Sequence, residues 1–126
     1  MRDKFADVIY EIGLKDKRIC ALVADISPAG SMEKFRKKFP SRFINCGVAE
    51  NNMVGISAGL ALIGKKVFVY SIAPFLALRS LEQIRNIICH NDLDVKIIGG
   101  GGGFSYGEQG ISHNPTEDFA VMKSLP

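Results

Sequence analysis

The chain has 126 residues, of which 47% are hydrophobic and 23% charged, and its net charge is +3. These values are typical of one folded globular domain and exclude intrinsic disorder and an extended nucleic-acid-binding surface. A cluster of basic residues lacks base-stacking aromatics other than Phe35 and Phe39, so we interpret it as a solvated helix face. The cluster comprises Lys34, Arg36, Lys37, Lys38 and Arg42.

Cysteine spacing and the N-terminus indicate a reducing compartment. Cys20, Cys46 and Cys89 form no CxxC pair and lie in apolar runs, which is typical of buried free thiols. A zinc site is disfavoured because only His90 lies near any of them in sequence. No stretch approaches the about 18 apolar residues of a membrane-spanning helix, and charges interrupt the N-terminal apolar positions. We therefore expect a cytoplasmic protein.

The first third of the chain predicts helices alternating with short strands. Apolar residues at helical spacing predict a helix over 2–12 that ends near Gly13. The continuous apolar run Ile19–Ala24 predicts a strand covered on both faces, closed by Asp25. The segments that follow are a loop with Ser27, Pro28 and Gly30, a short helix with Met32, Phe35 and Phe39 that Pro40 halts, and a strand Phe43–Cys46.

The remainder continues the alternation. A helix over Asn51–Ile63 is predicted to stop at Gly64, and β-branched and aromatic residues predict a strand over Lys66–Ser71. The later segments are a helix that starts at Pro74 and runs to about His90, a strand Asp94–Ile98, a glycine-rich loop Gly99–Asn114, and a last helix Thr116–Ser124 with Thr116 as its N-cap.

This pattern predicts an α/β fold: a three-layer, doubly wound, mostly parallel sheet flanked by helices. Ligands of such sheets bind beyond the carboxyl ends of the strands. Asp25, Glu50, Phe75 and the loop that begins at Gly99 all follow predicted strands. We therefore expect them to meet at one edge of the sheet.

Each of these residues, taken alone, has an ordinary structural interpretation. Glu50 could complement a helix macrodipole, Phe75 could be a core aromatic, and His113 could be solvated. The glycine run lacks both GK[ST] and a clear GxGxxG turn, so the nucleotide-binding fingerprints fail. It could be a flexible surface loop or a binding loop, since long irregular segments in compact domains are often functional.

In combination the motifs resemble a known family. GVAENNM, SIAPF, LEQIRN and a long glycine loop that ends in SHNPTED occur in fixed order. This order is similar to the pyrimidine-binding domain of the transketolase family of thiamine-diphosphate enzymes. The C-terminal half of split transketolases is the nearest match, and deoxyxylulose-phosphate synthase is more distant. The resemblance covers nearly the whole chain from about Phe5.

The resemblance implies roles for individual residues. Glu50 matches the acid that shares a proton with N1′ of the cofactor's aminopyrimidine, so that the exocyclic nitrogen can act as an internal base. Phe75 matches the aromatic that stacks on that ring, with aliphatic Ile72 and Leu78 where relatives often carry further aromatics. The other matches are His113, which in the family holds the sugar substrate, Asp25, which lies near the cofactor, and Gln109, where many relatives have an acid.

The resemblance also implies partners. The chain contains no GDG motif for the cofactor's diphosphate. A separate diphosphate-binding subunit should therefore hold the diphosphate and its Mg²⁺ or Ca²⁺, and this chain alone should be inactive. The assembly would transfer a two-carbon ketol unit between sugar phosphates.

The family also continues beyond this point with further structure, so we expect residues 1–126 to form a pyrimidine-binding domain that is truncated at its C-terminal end. We expect homo-oligomers through the helix with Gly55 and Gly59 and the helix with Leu81–Ile88. A non-catalytic scaffold of the same fold is the alternative, and a flavodoxin-like nucleotide-binding domain is a weaker third.

Overall fold

The computed structural model describes residues 2–26 and 32–126. Ser27, Pro28 and Gly30, predicted to form a loop, lie outside the described residues. The helices are α1 Arg2–Lys15, α2 Glu33–Lys38, α3 Glu50–Leu62, α4 Ala73–Ala77, α5 Leu81–Gln83 and α6 Asp118–Lys123. The strands are β1 Ile19–Val23, β2 Phe43–Asn45, β3 Lys66–Ile72 and β4 Val95–Gly100.

The strands form one parallel sheet in the order β2-β1-β3-β4. Val23 at the end of β1 is opposite Asn45 on one side and Tyr70 on the other. The chain therefore winds outward from β1 to β2, then crosses back to β3 on the other side. This reversal is the topological switch point at which ligands of parallel sheets bind. The predicted α/β fold with a parallel sheet is confirmed.

Helices cover both faces of the sheet. On one face Leu22 and Val69 pack with Met53 of α3 and Leu76 of α4. On the opposite face Ala21 and Val23, together with Phe68 and Tyr70, pack with residues of α1 and α2. Every residue of β1 is buried because β1 is central and covered twice, as its unbroken apolar run predicts. The result is three layers with two apolar cores.

The predicted end of α1 at Gly13 was wrong, since the helix continues to Lys15. Gly13 is a packing residue: a Cβ there would lie 2.7 Å from Cε2 of Phe35. The absent side chain lets the Phe35 ring of α2 approach α1 closely. α3, in contrast, ends at Leu62 close to its predicted stop, and Gly64 follows with a φ of +84°, the left-handed conformation that glycine adopts without strain.

Arg42 differs from the other members of the basic cluster. Lys34, Arg36, Lys37 and Lys38 are exposed on α2 as predicted, whereas the half-buried Arg42 turns inward. Its guanidinium lies 3.8 Å from the Phe39 ring centroid and donates to the carbonyl oxygens of Gly13 and Asp16, both at 3.0 Å. The cation therefore caps the end of α1 and holds the turn before β2 against it.

We expect Arg42→Met to lower the free energy of unfolding by about 2–3 kcal/mol, because two charge-assisted hydrogen bonds and a cation–π contact are lost together. Urea denaturation followed by circular dichroism measures the loss. Arg36→Met is the matched control, because Arg36 pairs at the surface with Glu33 of its own helix. Equal stability of the two variants would contradict the capping role.

The predicted helix from Pro74 to His90 is interrupted. Pro74 lies in the first turn of α4 as predicted, but α4 ends at Ala77 and α5 begins only at Leu81, continuing as the π-helical turn Ile84–Cys89. Apolar spacing persists across the break, so the pattern could not reveal it. Residues 78–80 lie in this break, and Arg79 among them contacts Glu50 at the start of α3.

The last helix also differs from its prediction. α6 begins at Asp118, and Thr116 is not its N-cap: the Thr116 hydroxyl donates to Oε2 of Glu117 at 3.2 Å. The Glu117 carboxylate accepts hydrogen bonds from the backbone N–H of Glu117 itself and from the backbone N–H of Thr116. These two hydrogen bonds, the first having the larger effect, lower the pKa of Glu117 from its ordinary value.

No helix within residues 2–26 and 32–126 has both the length and the apolar character that crossing a bilayer requires.

Candidate active site

Glu50 begins α3, directly after β2 and the turn at Gly47, where φ is +72°. Its side chain is only 2% exposed. Burying a carboxylate is costly unless its oxygens are paired, and both are. Oε1 accepts the Ser71 hydroxyl at 3.3 Å, and Oε2 accepts a guanidinium N–H of Arg79 at 2.6 Å. An acid with no role beyond complementing the helix dipole would have no need of such burial.

The partners of Glu50 come from the next strand–helix junction. Ser71 is buried near the carboxyl end of β3, and Arg79 lies in the break between α4 and α5. β3 and α4 are contiguous at Ile72 and Ala73, so the junction holds these groups in a fixed relation. The Arg79 side chain is 45% exposed, so it reaches the buried acid from the solvent side.

Phe75 and His113 also meet here. Phe75 is half-buried in α4, and the His113 ring lies edge-on to it with centroids 5.0 Å apart. The Arg79 guanidinium carbon lies 4.7 Å from the Phe75 centroid. The Ser112 hydroxyl contacts Nδ1 of His113 at 2.9 Å. An acid, a cation, an aromatic ring and an imidazole thus form one continuous set of contacts.

The glycine loop is held by internal contacts, and these contacts position His113 beside Phe75. Buried Asn114 accepts the Tyr106 backbone N–H at 3.1 Å and donates to the Gly107 carbonyl at 2.7 Å. Gly101, with a φ of +74°, lies so close to the Tyr106 ring that no Cβ could fit. The Tyr106 ring in turn contacts His113 edge-on at 5.6 Å. The interpretation as a flexible surface loop does not fit these internal contacts.

Asp25 lies at the expected edge of the sheet, but its hydrogen bonds are with Asn45 and not with the residues around Glu50. Its backbone N–H donates to Oδ1 of Asn45 at 2.9 Å, and its carboxylate accepts from Nδ2 of Asn45 at 3.2 Å. The Asn45 oxygen also accepts the Gly47 N–H at 3.1 Å. Asp25 is exposed, with a φ of +49°. It therefore ties the ends of β1 and β2 to the turn before Glu50.

The remaining predicted residues have supporting positions. Ile72 is half-buried between Ser71 and α4, opposite Gly100 of β4. Gln109 is exposed in the glycine loop, and its carbonyl accepts the Ser112 hydroxyl at 3.2 Å. Within residues 2–26 and 32–126, no cluster of three or more His, Cys, Asp or Glu side chains has the arrangement of a metal site.

The comparison with protein families decides the identity of the fold. The model of the pyrimidine-binding domain of transketolase matches residues 1–126. The chain belongs to the transketolase pyrimidine-binding domain family. The resemblance drawn from GVAENNM, SIAPF, LEQIRN and SHNPTED is thereby confirmed.

Relatives of this transketolase domain include proteins named as transketolase subunits. A subunit of the apulose-4-phosphate transketolase of Phocaeicola vulgatus is 42% identical over 125 residues, which are 99% of this chain and 40% of that protein. The 6-deoxy-6-sulfo-D-fructose transketolase subunit SqwH of a Clostridium species is 37% identical over 126 residues, which are 100% of this chain and 39% of that protein. The chain thus spans about 40% of the length of these relatives.

A solved structure agrees with this assignment. A split-gene transketolase described as an inactive β4 tetramer superposes with a TM-score of 0.85 at 39% identity. The match covers 99% of this chain and 40% of that one. The transketolase pyrimidine-binding domain here is therefore of the kind found in the β subunits of split transketolases.

Three residues of the candidate site were missed by the sequence reasoning. Arg79 follows Phe75 by four residues, the spacing of helical neighbours, which was the available signal. Ser71 stands in the SIAPF segment at the end of β3. Asn114, which organises the glycine loop, carries no signal beyond its place in SHNPTED.

Proposed function

We propose that this chain is the pyrimidine-binding part of a thiamine-diphosphate-dependent transketolase of the cytoplasm. With a diphosphate-binding subunit it would transfer a two-carbon ketol unit between sugar phosphates, as part of carbohydrate metabolism. The observation that carries the proposal is the pairing of a buried acid, Glu50, with a half-exposed aromatic face, Phe75, at the switch point of the sheet.

The residues present fit the aminopyrimidine of that cofactor. One planar group that carries N–H donors already bridges the two side chains: the Arg79 guanidinium touches Oε2 of Glu50 at 2.6 Å and lies 4.7 Å from the Phe75 centroid. A flat heterocycle with a polar nitrogen edge makes the same two kinds of contact. We infer that Glu50 and Phe75 hold the pyrimidine ring.

Thiamine diphosphate, when bound, would supply a nucleophilic thiazolium carbon. Glu50 would hold the proton shared with the ring nitrogen, and its burial would keep water from competing for that contact. The Ser71 hydroxyl donates to the other carboxyl oxygen and so orients the acid. Phe75 supplies a flat apolar surface that sets the plane of the ring without competing for its polar edge.

His113 is the proposed contact for the sugar substrate. Its Nδ1 faces the Ser112 hydroxyl at 2.9 Å, so Nε2 is the ring nitrogen that can meet a sugar oxygen. The contacts with Phe75 and Tyr106 fix the imidazole beside the pyrimidine site. Asp25 and Ile72 act in this proposal as supports of the cofactor-binding edge.

The partner in this proposal is a second polypeptide that holds the diphosphate and its Mg²⁺ or Ca²⁺. The names of the relatives, a transketolase subunit and a split-gene β4 tetramer, support both a partner chain and self-association. The outer surface of α3 suits an interface, because a Cβ on Gly55 or Gly59 would meet no atom within 4 Å. Leu62 and Ile63, 72% exposed at the end of α3, extend this apolar surface.

Titration with thiamine diphosphate tests the partner requirement. The chain alone should show no saturable binding by isothermal titration calorimetry, because it contributes the pyrimidine contacts only. The complex with the diphosphate-binding subunit should bind the cofactor and transfer ketol units. Tight binding of thiamine diphosphate by the chain alone would contradict the need for a diphosphate-binding partner. A complex that is saturated with the cofactor but does not transfer ketol units would favour the non-catalytic scaffold.

A further inference from the structure

Arg79 occupies the place that the proposed function assigns to the cofactor ring. Its guanidinium donates to Oε2 of Glu50 at 2.6 Å and lies over Phe75 at 4.7 Å. It is half-exposed, while the acid beneath it is buried. The cation therefore covers both residues from the solvent side.

The ring and the guanidinium exclude each other. A heterocycle stacked on Phe75 has its centroid about 4.5–7 Å from the phenyl centroid, and its hydrogen bond to Glu50 is about 2.7–3.0 Å long. A group that meets both conditions fills the volume in which the Arg79 guanidinium now lies. Cofactor binding at this site thus requires Arg79 to leave both contacts.

The ion pair also occupies the oxygen that the cofactor would need. Arg79 donates to Oε2 of Glu50 at 2.6 Å, whereas activation of the cofactor requires Glu50 to share a proton with a ring nitrogen. While the contact with Arg79 holds, the guanidinium takes the position of that ring nitrogen.

We propose that Arg79 is an autoinhibitory latch, which closes the pyrimidine site in the cofactor-free protein and is displaced by the aminopyrimidine. The inference rests on the proposed function of Glu50 and Phe75. The latch makes cofactor binding less favourable, because the ion pair between Arg79 and Glu50 has to be broken first.

The surroundings of Arg79 allow the side chain to open without a change of fold. Arg79 lies in the break between α4 and α5. Ala77, two residues before it, and Ser80, directly after it, are buried and anchor the backbone. The long side chain is half-exposed and can rotate into solvent. Glu50 keeps the hydrogen bond from Ser71 when the arginine departs.

Arg79→Met tests the latch in the complex with the diphosphate-binding subunit. Because no ion pair has to be broken, the variant complex should bind thiamine diphosphate about tenfold more tightly by isothermal titration calorimetry, the effect of one charged hydrogen bond. Arg36→Met, which removes a surface glutamate–arginine pair of α2, should leave the affinity unchanged. Unchanged or weaker binding by Arg79→Met overturns the latch.

A double-mutant cycle tests the pair itself, with thermal unfolding of the cofactor-free chain as its readout. Arg79→Met should lower the unfolding midpoint by about 4 °C in the wild type and by less than half of that in a Glu50→Gln background. Equal shifts in the two backgrounds overturn the latch. A wild-type complex that does not bind thiamine diphosphate rejects the proposed function. Binding that Arg79→Met leaves unchanged rejects only the latch.

Discussion

Glu50→Gln should lower the rate of ketol transfer by about 10²- to 10⁴-fold in the reconstituted complex. The amide has nearly the same shape and can still accept the Ser71 hydroxyl, but its N–H protons are not acidic, so it cannot exchange a proton with a ring nitrogen. Because the change acts on proton sharing more than on ring stacking, kcat should carry most of the loss. Steady-state assays at saturating thiamine diphosphate measure it.

Glu33→Gln is the control for this experiment. Glu33 also lies in the first turn of a helix, but its partners Arg36 and Lys37 are exposed residues of α2. Its substitution should leave kcat unchanged. Near-normal turnover in Glu50→Gln would show that burial of Glu50 serves the structure alone, and the scaffold alternative would then gain support.

The fold was predictable for those helices and strands whose type follows from one local sequence pattern. The unbroken apolar run of β1 could be satisfied only by a central strand, because both of its faces need cover. Gly13 shows the limit of such cues. Glycine can end a helix, and it can also allow another element to pack closely against the helix. Which of the two applies at Gly13 depends on its contact with Phe35, which is distant in sequence.

The candidate site was predictable in part for a related reason. Glu50, Phe75 and His113 follow from the motifs and from the rule that strand ends share one edge. The role of Arg79 could not be predicted for two reasons. Its partner Glu50 is 29 residues away in sequence. The turn that directs the Arg79 side chain toward Glu50 lies in a segment whose apolar spacing is typical of an unbroken helix. Contacts made by tertiary folding leave no periodic signal in the chain.

Phe75→Ala should weaken binding of thiamine diphosphate to the complex by about 10- to 100-fold, the usual loss when an aromatic stacking partner of a heterocyclic base is removed. The half-exposed ring contributes little to the two cores, so the unfolding midpoint should change far less than affinity. Equilibrium dialysis against graded cofactor concentrations measures the shift. At saturation, kcat should fall much less than in Glu50→Gln, because the acid and its Ser71 contact remain.

The matched control is Phe119→Ala in α6, a phenylalanine that is 76% exposed and lies outside the hydrogen bonds that join Glu50 to Ser71 and Arg79. It should leave cofactor affinity unchanged. Equal affinities of the Phe75 and Phe119 variants would remove the stacking surface from the mechanism. A large loss for Phe75 alone, with kcat largely retained, separates positioning of the ring by Phe75 from proton sharing by Glu50. The two substitutions therefore assign the two halves of cofactor recognition to different measurable constants.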